Sequence, residues 1–295
     1  MGKLRGKDVS QIGIIIVLAV VAALCILPFL LLVSTSFTDN NTILREGYSL
    51  FPSKYSLFAY EYLMLNASSI FRAYGITILV TAVGTVVSLS IMALLAYPLS
   101  RKELPHRTGW TFFVFFTLLF NGGLVPTYMV YTQLINVKNT LFAYLLPFFL
   151  VKAFYVLLMR TFFMGIERSL IESAEIDGAG EWTIFLRIVI PLSYPVLATV
   201  GLFQAVAYWN DWFSGMIFIT DGRLYSLQNL LNRILLDIQF LTTSTMVVAT
   251  DEGANIPVAS VRMALAVIGV VPMLVIYPFF QKYFVKGLTV GAVKG

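Results

Sequence analysis

The sequence has few of the residues on which soluble enzymes and disulfide-rich proteins depend. It contains one cysteine and one histidine in 295 residues, and Asp, Glu, Lys and Arg together make up only 12%. A single cysteine excludes an intramolecular disulfide and gives no sign of a metal cluster. So few charges cannot cover the surface of a water-soluble domain, in which about 25% of residues are usually charged. The sequence also lacks a Gly-x-x-x-x-Gly-Lys-Ser/Thr loop, which excludes ATP binding by that route.

Apolar residues are abundant instead. They make up 59% of the chain and its mean hydropathy is +0.85, which predicts a membrane protein. Each spanning segment must be helical, because lipid offers no partner for free backbone groups. An apolar stretch of about 20 residues is long enough to cross as a helix, and six such stretches run over 12–33, 76–99, 110–131, 141–159, 194–219 and 263–284. We therefore predict an all-α membrane protein whose six transmembrane helices form one domain over 12–284.

Basic residues indicate the orientation of these spans. Lys3, Arg5 and Lys7 precede the first span, and the loops on the same side of the membrane as this N-terminal segment carry most of the other lysines and arginines. The positive-inside rule then predicts that both termini are cytoplasmic, at 1–11 and 285–295, and that 160–192 is a cytoplasmic loop. The net charge of +5 is explained by this orientation. We expect membrane lipid, and no nucleic acid, among the partners.

The loop between the fourth and fifth spans has an ordered pattern. Gly178 permits a turn, Pro191 ends the pattern, and Arg168 and Glu172 are spaced to form an ion pair on one helix face. Apolar residues recur before the turn at helical spacing, at Ile166, Leu170 and Ala174. The pattern predicts an acidic helix–turn–helix on the cytoplasmic side. It favours equally a hairpin that merely joins two spans and a contact site for another chain.

This loop resembles the EAA signature of ABC importer permeases: Glu-Ala-Ala, three residues, Gly, nine residues, Ile, one residue, Leu-Pro. Ser173 and Ile190 are its two departures from that pattern. In that family the element is the coupling helix that docks on a separate ATP-binding subunit. The resemblance implies an ATPase-coupling set in which Glu172 is an anionic anchor and two alanines keep the docked surface narrow. The set consists of Glu172, Ser173, Ala174, Asp177, Gly178, Ala179, Ile188 and Pro191.

Further segments resemble the carbohydrate-uptake branch of that family, of the type of the maltose transporter's six-span permease subunit. They are Ala-Tyr-Pro-Leu-Ser-Arg at 96–101, Phe-Asn-Gly-Gly-Leu-Val-Pro-Thr-Tyr at 120–128, Tyr-Trp-Asn-Asp-Trp-Phe at 208–213, and the tail at 277–295. The resemblance implies the type I ABC importer permease fold, in a bacterial plasma membrane. It further implies oligosaccharide import by alternating access, with no catalysis and no cofactor on this chain.

The same resemblance implies a set of partners. They are a second homologous permease, two ATP-binding subunits that hold ATP and Mg, an extracytoplasmic solute-binding protein and the oligosaccharide itself. A second ATPase contact is implied for the C-terminal residues Gly291, Val293, Lys294 and Gly295. The alternative for that tail is a frayed terminus.

Polar and aromatic residues within the spans are candidates for a substrate path. They are Asn121, Lys152, Tyr208, Trp209, Asn210 and Asp211. A charge at the bilayer centre costs about 2.5–3.5 kcal/mol, so Lys152 and Asp211 are expected to face protein or water. One hypothesis is that Lys152 lines the route and favours acidic sugars, and the alternative is an ion pair or a snorkelling side chain. Two other functions stay open: an ABC permease for a non-sugar solute, and an ion-coupled secondary transporter that uses Asp211.

Overall fold

A computed structural model describes residues 2–65, 67–243 and 258–274. Within these ranges the chain is helical, with one isolated β-bridge between Thr38 and Tyr55 and no strand. The helices are α1 (Gly2–Ser36), α2 (Asn40–Glu46), α3 (Phe58–Met64), α4 (Ala67–Ser100), α5 (Arg107–Leu119), α6 (Leu124–Met129), α7 (Phe142–Leu145), α8 (Ala153–Met164), α9 (Arg168–Ile176), α10 (Glu181–Ile184), α11 (Ile190–Leu192), α12 (Tyr194–Trp209), α13 (Phe213–Phe218), α14 (Leu227–Thr243) and α15 (Val258–Leu274). Val130–Leu134 and Phe185–Val189 are π-helical, and Gly222–Leu224 is a 3-10 turn. The all-α class is confirmed for these residues.

Two described helices are long and apolar enough to cross a membrane: Gln11–Ser36 within α1, and α4. They contain the predicted spans 12–33 and 76–99. The number rises to four if each of two bent pairs forms one span, Arg107–Leu119 with Leu124–Leu134 at 108° and Glu181–Leu192 with Tyr194–Trp209 at 78°. The count of six spans and the cytoplasmic position of both termini stay predictions.

The prediction that every apolar stretch is one continuous helix was wrong. The stretch 110–131 breaks between α5 and α6, where Phe120 is extended and Gly123 has a φ of +88°, a left-handed value that ends a helix. The stretch 141–159 is α-helical only in α7 and from Ala153 onward. Pro147, which has no N–H to donate, and the extended Lys152 lie in the gap between them.

The stretch 194–219 is also interrupted, between α12 and α13. The side chain of Asp211 accepts a hydrogen bond from the backbone N–H of Ser214 at 3.0 Å, and this side-chain contact competes with a continuous helix. The last predicted span, 263–284, overlaps α15 as far as Leu274. Its remainder and the tail at 285–295 lie outside the described residues.

The chain divides into two compact units, of which the first comprises Met1–Ala67 and Arg233–Pro272. Beyond α1 its backbone is held by side chains, since Ser34 Oγ donates to the carbonyl of Leu50 at 2.8 Å. The rings of Phe37 and Tyr60 stack with centroids 5.0 Å apart. The segment that contains α2 and α3 is therefore ordered.

The second unit comprises Ser68–Asn232 and Met273–Gly295. Its described part holds two apolar clusters. One joins α4, α8, α9 and α12 around Met92, Val156, Met159, Ile184 and Val200. The other gathers Tyr144, Tyr208, Phe218 and Ile219 beside Val80. The first cluster supports the 160–192 loop and the second supports the interrupted helices.

Candidate functional site

A tight turn closes the helix–turn–helix that α9 and α10 form, hereafter the 168–184 hairpin. Gly178 has a φ of +79°. The N–H of Ala179 donates to the carbonyl of Ala174 at 2.9 Å, and the N–H of Gly178 donates to that of Glu175 at 3.0 Å. This is the Schellman pattern, in which a left-handed residue satisfies the last carbonyls of a helix. The turn predicted at Gly178 is confirmed.

The inner face of the hairpin packs on the first apolar cluster of the same chain. Ile171 and Ile184 are buried in the first apolar cluster, and Ala174 and Ala179 pack against it from the partly buried layer. Both alanines are partly buried, and the expectation that they narrow a docked surface stays a prediction. Ile188 is partly buried in the π-helical segment.

The outer face exposes two large apolar side chains that the motif did not single out. Ile176 is 86% exposed and Trp182 is 67% exposed. Trp182 also lines a cleft of about 430 Å³ together with Leu94, Leu104 and Phe185. The sequence could have indicated both residues, because neither belongs to the apolar stripe at 166, 170 and 174. The implied coupling residues that share this exposure are Glu172, Ser173, Asp177, Gly178 and Pro191.

Ion pairs join the hairpin to the end of α4. Arg101 follows α4 directly and its side chain is 14% exposed. Its Nη2 lies 2.5 Å from Glu175 Oε1 in α9 and 3.2 Å from Glu181 Oε1 in α10, and Tyr97 also donates to Glu181. Burial lowers the pKa of Arg101, but the Glu175 hydrogen bond and the neighbouring carboxylates raise it overall. The guanidinium is therefore held in its charged form between both arms of the hairpin.

A second set of contacts surrounds this one. Arg168 pairs with Glu172 at 2.7 Å, which confirms the predicted pair, and with Glu103 at 3.2 Å. Glu172 is thus already engaged within its own helix. Arg160 in α8 donates through Nε to the carbonyl of Leu99 at 2.9 Å. Helices α4, α8 and α9 are therefore connected by polar contacts at one end.

A non-helical segment at 146–152 separates α7 from α8. Ser88 Oγ donates to the carbonyls of Phe149 and Leu150 at 3.0 and 2.8 Å, and Gln204 also donates to that of Phe149. Lys152 is half-buried and its Nζ lies 4.7 Å from the centroid of the Phe149 ring, a cation–π distance. Side chains from neighbouring helices thus satisfy the backbone that the break leaves open.

The structure separates the predicted path residues into two groups. Tyr208 and Trp209 are each 2% exposed, and Tyr208 donates to the carbonyl of Leu145 at 3.2 Å. Asp211 is buried as well. Asn121 and Asn210 are exposed. Tyr208 belongs to the second apolar cluster, and the contribution of these residues to a sugar path stays a prediction.

Two further expectations concern the tail and metals. Gly291, Val293, Lys294 and Gly295 lie outside the described residues, so their contact with an ATPase stays a prediction. Within the ranges that the structure describes, no three His, Cys, Asp or Glu side chains are grouped to hold a metal ion.

Comparisons with known proteins agree on one family. Residues 72–290 match the family Binding-protein-dependent transport system inner membrane component. The chain is 36% identical over 277 residues to Polygalacturonan/rhamnogalacturonan transport system permease protein YtcP of Bacillus subtilis (strain 168), covering 93% of this chain and 94% of that protein. It is 37% identical over 297 residues to Protein LplC of the same organism, covering 100% and 98%.

A solved structure is similar over nearly the whole chain. It is the crystal structure of a bacterial ABC transporter involved in the import of the acidic polysaccharide alginate, with a TM-score of 0.79 and 27% identity. The similarity covers 95% of this chain and 98% of that one. With a family match over most of its length, this chain belongs to the binding-protein-dependent transport system inner membrane components, the permease subunits of ABC importers.

Proposed function

We propose that this chain is the transmembrane permease subunit of an ABC importer for oligosaccharides, and that its substrates carry carboxylates. The observation that carries the proposal is the 168–184 hairpin, which is braced from inside and exposes Ile176 and Trp182 outward. Exposed apolar groups on a rigid support are typical of an interaction surface. In the family to which the chain belongs, such a surface suits an ATP-binding partner.

The proposed assembly contains this chain, a second permease, two ATP-binding subunits and an extracytoplasmic solute-binding protein. ATP and Mg bind to the partner ATPases. Their closure moves the hairpin as a rigid element, and the attached helices change the side on which the path opens. The exposed coupling residues, with Ile176 and Trp182, form the docked face, and Ala174, Ala179 and Ile188 support it from within.

A substitution at Gly178 tests the docking. A Cβ at Gly178 meets nothing within 4 Å, so Gly178→Asp introduces no clash within this chain. Its expected cost to the stability of the chain is the strain of a left-handed residue, about 1–2 kcal/mol. Gly47 is a matched control, because its φ is +80° and its Cβ also meets nothing within 4 Å. We expect Gly178→Asp to abolish co-purification with the ATPase and Gly47→Asp to retain it. Equal retention in both variants would refute docking at the hairpin.

An ion-coupled secondary transporter is the competing function, and Asp211 is its one described intramembrane carboxylate candidate. The secondary-transporter function gives the 168–184 hairpin no role. Uptake by reconstituted vesicles decides between the two. Transport that needs ATP and a binding protein and survives collapse of the proton gradient supports the importer, and transport abolished by that collapse supports the competitor.

Lys152 carries the proposal on substrate class. Its ammonium lies against Phe149, and among the described residues no carboxylate is close enough to form an ion pair with it. A half-buried cation in a membrane span is energetically costly, so such residues are rare and usually functional. Similar proteins are named for polygalacturonan and for the acidic polysaccharide alginate. A carboxylated sugar would supply Lys152 with a counter-charge in addition to the longer-range attraction of Asp211.

Lys152→Met tests this substrate class. Methionine keeps most of the side-chain volume and removes the charge. We expect uptake of a galacturonate trisaccharide to fall about tenfold or more, the effect of losing one charged contact of ~1.4 kcal/mol or more, while uptake of a neutral trisaccharide stays unchanged. The exposed Lys138 provides the control Lys138→Met, which removes the same charge elsewhere. A parallel fall for both sugars would contradict a role in selectivity.

A further inference from the structure

The hairpin is connected through the chain to α8 on one side and to α11 and α12 on the other. Helix α4 has no such covalent connection, because α5, α6 and α7 intervene. Any movement of the hairpin therefore reaches α8 and α12 directly. Its transmission to α4 depends on non-covalent contacts alone.

Part of the contact between α4 and the hairpin is apolar. The rings of Tyr97 in α4 and Phe185 lie 5.0 Å apart, and Leu99 is buried in the same cluster as Ile171 and Ile184. Apolar contact is non-directional, so it constrains the relative orientation of the two elements less tightly than hydrogen bonds with fixed geometry do. This packing brings the two elements together.

Arg101 supplies a directional contact. One nitrogen of its planar guanidinium reaches Glu175 at 2.5 Å and Glu181 at 3.2 Å, on opposite sides of the turn, and its Nε lies 3.5 Å from Glu103. Arginine presents its donors in a fixed plane, so these contacts constrain angle as well as distance. Tyr97 adds a hydrogen bond to Glu181 from one turn earlier in α4.

We propose that Arg101 is a positioning residue that ties both arms of the 168–184 hairpin to α4, so that movement imposed on the hairpin is carried into that helix. The inference rests on the proposed function, in which a partner ATPase moves the hairpin. The three carboxylates are partly exposed, and exposed ion pairs contribute little to stability. The role of Arg101 is therefore in coupling more than in folding.

The test is the number of sugar molecules imported per ATP hydrolysed. The whole complex, with its ATPases, second permease and binding protein, is reconstituted in liposomes, with a galacturonate trisaccharide as the probe. We expect Arg101→Gln to lower this ratio about fivefold or more, the range of a typical coupling between sites, while the complex still assembles and hydrolyses ATP. Arg101→Lys, which keeps the charge and loses the planar fork, is expected to give an intermediate ratio.

Lys102 provides the matched control. It is exposed, adjacent in sequence and makes no ion pair within the described part of the chain, so Lys102→Gln removes the same charge without breaking the tie. A ratio for Arg101→Gln within twofold of the wild type, or an equal fall in Lys102→Gln, would overturn the proposal. If Arg101→Gln does not assemble, Glu175→Gln decides in its place, and an unchanged ratio there would overturn the proposal too.

A spin-label distance gives an independent readout. Labels on the exposed Ser169 in the hairpin and on the exposed Val86 in α4, in a Cys25→Ser background, report whether the two elements move together. We expect the distance distribution to stay narrow upon ATP binding in the wild type and to broaden in Arg101→Gln. Wild-type complex without any ATP-dependent uptake would refute the proposed function instead, so the two failures are distinguishable.

Discussion

Replacing Gly84 by alanine probes the contact on which the interrupted helices depend. A Cβ at Gly84 in α4 would lie 2.7, 2.8 and 2.9 Å from three ring atoms of Tyr208 in α12. Real Cβ atoms do not come this close, so the ring or one of the helices must move. Tyr208 is 2% exposed and its ring lies 5.3 Å from that of Phe149, so it has no free space to enter.

Three effects determine the change in stability, of which two destabilise the protein and one stabilises it. Overpacking of a filled core costs about 1–3 kcal/mol. A displaced Tyr208 also loses its hydrogen bond to the Leu145 carbonyl, at about 0.5–1.5 kcal/mol. Alanine is favoured over glycine inside a helix by about 0.8–1.0 kcal/mol, which acts in the opposite direction. The net expectation for Gly84→Ala is a destabilisation of about 0.5–3.7 kcal/mol.

The control lies in the same helix. A Cβ at Gly75 in α4 meets nothing within 4 Å, so Gly75→Ala isolates the helix-propensity gain. The assay is thermal unfolding of the purified protein in detergent, for both single variants and for each combined with Tyr208→Leu, which removes the obstructing ring. We expect Tyr208→Leu to cancel the excess cost of Gly84→Ala. Equal stability of the Gly84→Ala and Gly75→Ala proteins would refute the reasoning.

Three further substitutions test other contacts. Gly215→Ala would bring a Cβ to 2.3 Å from Asn229 Nδ2, so we expect a loss of about 1–3 kcal/mol, seen as a lower midpoint of thermal unfolding. Asn139 has a φ of +55°, and its Oδ1 accepts hydrogen bonds from two backbone N–H groups at 220–221. We expect Asn139→Ala to lower the free energy of unfolding by about 2 kcal/mol and Asn139→Asp to lower it much less. Equal losses of stability in the two variants would contradict an acceptor role. Ser88→Ala removes the donor to two carbonyls of the 146–152 segment, and we expect about 1–3 kcal/mol less stability together with faster hydrogen exchange in α8; unchanged exchange would show that other contacts hold the segment.

Local features were predictable from the sequence. The scarcity of charge and the apolar stretches established a helical membrane protein, since lipid leaves backbone groups no other partner. The spacing around Gly178 predicted the hairpin and its turn, and the Arg168–Glu172 pair followed from helical geometry alone. These features depend on residues a few positions apart, and backbone geometry fixes their relation to each other.

Contacts between distant segments were decided only by the tertiary structure. Arg101 meets Glu175 and Glu181, which are 74 and 80 positions away, and no period in the sequence relates them. The breaks beside Lys152 and Asp211 escaped prediction for a similar reason. An apolar stretch is expected to stay helical until side chains from other helices satisfy its open backbone groups, and the positions of those side chains depend on packing. Packing likewise buried Tyr208 against Gly84 and left Ile176 exposed, although both are apolar residues in helices.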